Sequence, residues 1–163
     1  MNSKRKIITG LTPLKRIVSH LRRQGKTIAF TNGCFDILHL GHVRYLESAK
    51  KPNRILIVAI NSDSSVRRIK GRKRPIISQN QRAGVIAALH CVDYVTIFSQ
   101  ATPYRLIKAL EPDVLIKGAD WKTRDVVGSD VVRSYGGKVE LIKYLNGFST
   151  TNILKSIVLK CAK

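Results

Sequence analysis

Apolar positions along this chain follow two rhythms in turn. Leu14, Ile17, Val18 and Leu21 recur at three- and four-residue intervals, the spacing of one helix face. Thr12-Pro13 just ahead of them supplies a capping hydroxyl and a proline for the first helical position, and Gly25 supplies a stop. Residues 27–31 then read as a strand, and a second helical pattern carries Val43, Leu46, Glu47 and Lys50. Residues 54–60 are a continuous apolar run of buried-strand type, and Ser78 is placed to cap a helix through Ala83, Ile86, Ala87 and Leu89. The alternation continues with a strand at 94–98, a helix opened by Thr102-Pro103 through Leu106 and Leu110, and a strand at 114–117. A short helix at 129–135, a turn at Gly136-Gly137, a fifth strand at 138–142 and a closing helix at 151–159 complete the series.

Strands that alternate with helices predict an α/β fold with one doubly wound parallel sheet of about five strands, covered on both faces. Such sheets bind ligands beyond the carboxyl ends of their strands. The polar segments fall there: 39–42 after the first strand, Asn61-Ser62-Asp63 after the second, Gly118-Ala119-Asp120-Trp121 after the fourth and Gly147-Phe148-Ser149-Thr150-Thr151 after the fifth. There is no internal repeat, and residues 1–163 are expected to form a single domain, with 1–26 as a lead-in of one helix.

His39-Leu40-Gly41-His42 is the most pointed of these segments. It stands where a strand gives way to a helix, and helix N-termini favour anions through unpaired N–H groups and the macrodipole. Three residues apart in a first helical turn, both imidazoles point the same way, and Gly41 bears no side chain to keep a ligand off the backbone. The ordinary alternative is a pair of surface histidines flanking a glycine, so the rest of the chain must decide.

Composition narrows the choice. Thirty Lys and Arg against ten Asp and Glu leave a formal charge of +20, which points to polyanionic partners, either nucleic acid or small phosphorylated compounds. Nucleic acid is the weaker expectation: the basic residues are scattered, zinc-finger and RRM signatures are absent, and aromatics are 6% of residues. Cys34, Cys91 and Cys161 fit neither a disulfide framework nor a zinc site and are expected as free thiols in a reducing compartment. No apolar stretch has signal-peptide or membrane-spanning length, so a cytoplasmic protein without membrane contact is expected.

The order of five blocks is more specific than any one of them. Residues 31–47, Arg74-Pro75-Ile76 through Arg82-Ala83, Val92-Asp93-Tyr94-Val95, Ile116-Lys117-Gly118-Ala119-Asp120-Trp121 and the stretch from Gly147 to Ile153 together resemble the cytidylyltransferase-like nucleotidyltransferases. The likeness is greatest to the adenylyltransferase domain of ADP-heptose synthases. It implies a Rossmann-like fold, ATP with Mg2+ as the nucleotide, and AMP transfer to D-glycero-D-manno-heptose 1-phosphate with release of pyrophosphate. That chemistry needs positioning and charge stabilisation rather than a protein nucleophile.

By this resemblance His39 and His42 are catalytic, while Asn32, Gly33, Phe35, Gly41, Lys117, Gly118, Asp120, Ser149 and Thr150 contact the nucleotide. Ser149, Thr150 and Thr151 also have the ordinary reading of helix caps. Lys70, Arg72, Arg82 and Asp63 are assigned to phosphate or acceptor, and the basic run from Arg67 to Arg74 is read as a loop. Magnesium would be held chiefly by phosphate oxygens and waters, without a protein metal cage. Related glycerol-phosphate cytidylyltransferases carry an arginine before the Gly-x-Ser-Thr-Thr block where this chain has Tyr144-Leu145-Asn146, which argues against CTP and glycerol 3-phosphate. Bifunctional family members add a sugar kinase domain that these residues do not contain, so a separate kinase is expected to supply the acceptor. A homodimer is a further expectation. Rival readings are glycerol-phosphate or ethanolamine-phosphate cytidylyltransferase, FAD synthetase, and a basic nucleic-acid-binding module.

Overall fold

The computed structural model describes residues 2–119, 125–143 and 147–161. A short helix α1 (Ser3–Lys6) and a long one, α2 (Leu11–Arg23), lead into β1 (Thr27–Gly33) and α3 (Leu40–Ala49). Next come β2 (Arg54–Asn61), α4 (Asp63–Lys70), α5 (Gln79–Ala88) and β3 (Tyr94–Phe98). Then follow α6 (Tyr104–Leu110), β4 (Val114–Gly118), α7 (Ser129–Ser134), β5 (Lys138–Ile142) and α8 (Thr150–Cys161). The five strands form one parallel sheet in the order β3-β2-β1-β4-β5, which is the expected doubly wound architecture.

Within the apolar strands, alternate residues still serve opposite faces. Ala29, Leu56, Val58, Ile60, Val95 and Ile116 pack with Leu46 and Ala49 of α3 and with Ala83, Ile86 and Ala87 of α5. Ile28, Phe30, Ile57, Ala59, Phe98 and Leu115 pack on the other face with Leu14 and Val18 of α2 and Leu106, Ile107 and Leu110 of α6. Each fully buried Leu, Ile or Phe stabilises by roughly 1.5–3 kcal/mol, so both layers are firmly seated.

The strand order reverses between β1 and β4, and those two strands are paired only at Ala29 with Val114 and Phe30 with Leu115. Beyond Phe30 they part, opening the crevice in which such sheets take ligands.

Four local expectations need correction. Residues 2–26 hold two helices rather than one. The second starts at Leu11, with Gly10 (φ +87°) as its N-cap and no capping side chain, so Thr12 is not the cap. Ser78 and the 102–103 pair likewise stand at their helix starts without capping hydrogen bonds. Much of the basic run is helix, not loop: Ser62 caps α4 by accepting from the Ser65 amide at 3.2 Å, Asp63 stands in the first turn, and Gly71 (φ +92°) stops it. Hydrophobic periodicity is a poor guide there, because Val66 is the one large apolar side chain that α4 buries.

Candidate functional site

The segment from Asn32 to Gly41 crosses the top of the sheet in a strained path. Phe35 (φ 47°) and Ile37 (φ 56°) both adopt left-handed backbone, which costs bulky side chains roughly 1–3 kcal/mol each and persists only where neighbours enforce it. The enforcing residue is Asp36. Its buried carboxylate accepts from the Ile76 amide at 3.0 Å, the Ile77 amide at 2.9 Å and Arg74 Nε at 2.6 Å, and its carbonyl accepts from the Thr150 hydroxyl at 2.7 Å. Burial pushes the Asp36 carboxyl up, but the two amides and the guanidinium outweigh it and hold the group below the usual carboxylate range. Asp36 thereby ties three chain segments at one point.

His39 is the N-cap of α3 and His42 lies in its first turn. Their rings stack with centroids 3.8 Å apart and planes at 21°, as the three-residue spacing predicts. Phe35 closes against His42 edge-on at 5.2 Å, so its ring supports the histidine and is itself buried. The Nδ1 atoms of both histidines are buried without a hydrogen-bond partner among the described residues. Burial, together with the neighbouring His39, pushes His42 down to about 4, and burial lowers His39 as well. Both rings are therefore neutral at pH 7. An unpaired buried polar atom costs on the order of 1–3 kcal/mol, which makes this pair the leading candidate for contact with a ligand.

Gly41 also has a packing role. A Cβ there would meet the His39 ring and Phe148 Cβ at 3.1 Å, so the missing side chain lets the imidazole and the segment before α8 close in. Gly33 does the same for the Phe35 ring, which a Cβ would meet at 3.0 Å. Across the crevice, Lys117 Nζ on β4 donates to Asn32 Oδ1 on β1, bringing two expected nucleotide contacts together where the strands have parted. Gly118 ends β4 at the same level.

Other expected residues have different occupations. Arg82 is fully buried and its guanidinium donates to the carbonyls of Cys34, Asn61 and Ile77 and to the Asp63 carboxylate, the last at 2.8 Å. Arg82 and Asp63 thus brace the strand ends, and neither presents a free charge to a ligand. Ser149 caps α8 by accepting from the Asn152 amide at 3.1 Å, and the Thr150 hydroxyl is engaged with Asp36. Lys70 ends α4 close enough to draw the Cys34 thiol down, although burial is the larger effect and leaves that thiol raised. Arg72 lies in the exposed turn after α4. Asp120, Trp121 and the 144–146 segment lie outside the described residues. The three cysteines are free thiols. Sequence reasoning assigns no role to Asp36 or Arg74; the available signal was a carboxylate set between Phe35, Ile37 and Leu38, where only a paired charge is tolerated.

Among the described residues there is no cluster of three metal-ligating side chains, and no helix is long and apolar enough to cross a membrane.

The profile of the cytidylyltransferase-like family matches residues 30–156. The bifunctional protein HldE of Geobacter metallireducens is 53% identical over 151 residues, which are 93% of this chain and 31% of that protein. Its counterpart from Syntrophotalea carbinolica is 52% identical over 145 residues, 89% of this chain and 30% of that one. The chain thus spans about a third of the length of these relatives. Among solved structures, the lipopolysaccharide core biosynthesis protein from Thermoplasma volcanium superposes with a TM-score of 0.59 at 28% identity, covering 73% of this chain and 96% of that chain.

Proposed function

The chain belongs to the cytidylyltransferase-like family, and from that premise we propose that it transfers AMP from ATP to D-glycero-D-manno-heptose 1-phosphate, giving ADP-heptose and pyrophosphate. The observation that carries this reading is the stacked, neutral His39–His42 pair at the head of α3, whose Nδ1 atoms have no partner among the described residues. Similarity to proteins named as bifunctional HldE and to a lipopolysaccharide core biosynthesis protein supports the heptose acceptor.

In the proposed reaction a phosphate oxygen of the sugar 1-phosphate attacks the α-phosphorus of ATP while the bond to the β-phosphate oxygen breaks in line. No protein nucleophile takes part. His39 and His42 bind the triphosphate and donate N–H groups to oxygens on which charge develops, in a desolvated site where such donors count most. Lys117, Asn32, Gly33 and Gly118 line the nucleotide crevice, while Thr150 and the start of α8 close over it. Lys70 and Arg72 are assigned to phosphates at the rim. The Asp36 carboxylate is fully engaged, which fits Mg2+ held by phosphate oxygens and water; when bound, the cation supplies charge neutralisation on the triphosphate. The acceptor is supplied by a sugar kinase, and the protein is read as cytoplasmic, working as a homodimer without membrane contact.

The test is pyrophosphate release with Mg2+ and heptose 1-phosphate, comparing ATP, CTP, GTP and UTP at equal concentration, with glycerol 3-phosphate as control acceptor. ATP with heptose 1-phosphate is the expected pair, because a site that hydrogen-bonds its base leaves polar groups unpaired with the wrong one. CTP with glycerol 3-phosphate as the better pair would overturn the assignment.

A further inference from the structure

A second cavity, about 240 Å³, opens on the opposite layer of the molecule, between the start of α2 and the end of β3. That is several times the roughly 30 Å³ share of one water molecule. Gly10 and Leu11 form one wall, Thr96, Phe98 and Ser99 another, and Arg105 of α6 stands over it. β3 is two strands from β1, roughly 10 Å along the sheet, and Thr96 lies between Tyr94 and Phe98 on the face away from α3. The cavity is therefore separate from the histidine crevice.

Its chemistry has one sign. Gly10 turns the chain into α2 and offers no capping side chain, so the Leu11 and Thr12 amides stand uncapped at the head of a thirteen-residue helix. Thr96 is only 2% exposed and lines the cavity, and its hydroxyl has no hydrogen-bond partner among the described residues. That hydroxyl faces the cavity rather than being sealed in the core, and is free to bond a ligand there. Arg105 forms no ion pair among the described residues, and no lining residue is acidic. The rim carbonyls that would repel an anion are tied off: Ser65 Oγ donates to the Gln100 carbonyl at 2.9 Å, and Arg68 donates to that of Ser99.

We propose that this cavity is a second anion site, which takes the phosphate group of a small phosphorylated compound between the α2 amides, the Thr96 hydroxyl and the Arg105 guanidinium. The test is a ¹H–¹⁵N NMR titration of the full chain at constant ionic strength with inorganic phosphate and, separately, glucose 1-phosphate, against chloride as control. Saturable shifts at the Leu11 and Thr12 amides are expected with both phosphates, and whichever binds more tightly names the form the site takes. Thr96→Val should weaken binding a few-fold and Arg105→Ala about tenfold. His42→Ala should leave these shifts in place, which separates this site from the nucleotide crevice. Absence of a saturable response at the two amides, an equal response to chloride, or unchanged affinity in both variants would overturn the proposal.

Discussion

His42 is half-buried, and its low pKa of about 4 makes acid the sharpest probe of the site. The unfolded chain takes up a proton near the ordinary value of 6.5 while the folded one resists it, so stability is greatest above pH 6.5 and falls as pH drops towards 4. For His42 the loss across that window is at most about 3 kcal/mol. Urea midpoints measured from pH 7 to pH 4.5 should fall in the wild type and fall less steeply in His42→Asn; parallel slopes would remove the premise that the ring is buried neutral. For catalysis, His39→Ala and His42→Ala should each lower turnover about 100- to 1000-fold while the protein remains folded, as loss of a charge-stabilising donor does. Wild-type turnover in either purified variant would contradict the mechanism. The stacking of these rings was legible from their spacing alone, since it is a local property of one helical turn. The packing of Phe148 against Gly41 was not, because Phe148 is far away in sequence.

Elements at the top of the sheet are locked to one another by buried charge more than by apolar packing. Arg82 on α5 reaches carbonyls at the ends of β1 and β2 and the first residue of α4, so its removal leaves the Asp63 carboxylate and several carbonyls without their donor. Arg82→Ala is expected to cost about 3–5 kcal/mol in chemical denaturation, whereas Arg72→Ala, in an exposed turn, should stay within about 0.5 kcal/mol. Equal effects would show that Arg82 is not the brace described. A basic residue in a family block reads in sequence as a phosphate ligand; only the fold shows that its partners come from three other elements. The same holds for α4, whose cap and stop at Ser62 and Gly71 are visible in sequence but whose thin apolar stripe masks the helix. α8 is the counter-case: its closing position was legible, yet it buries no residue and leaves Ile157, Val158 and Leu159 exposed.

At the scale of the whole molecule, Asp36, Glu47, Asp63, Asp93 and Glu140 are engaged in ion pairs, and thirty Lys and Arg against ten Asp and Glu leave a large positive excess. If that charge serves small phosphates, RNA and DNA should bind weakly and with steep salt dependence, and AMP transfer should persist at salt that removes them. A filter-binding series at rising salt beside the pyrophosphate assay decides it; a sequence-specific nanomolar complex at physiological salt would favour the nucleic-acid reading. The layered α/β plan was legible from the alternation of helical and strand periods. The point where strand order reverses was not, because periodicity says nothing about which strand lies beside which. That point has a mechanical meaning. With β1 and β4 joined only through Ala29 and Phe30, the sheet is in effect two stiff leaves sharing a short spine, and the Lys117–Asn32 contact is a light clasp across their free margins. A nucleotide seated in the gap would act as a rivet, joining the two leaves where their own backbones do not pair.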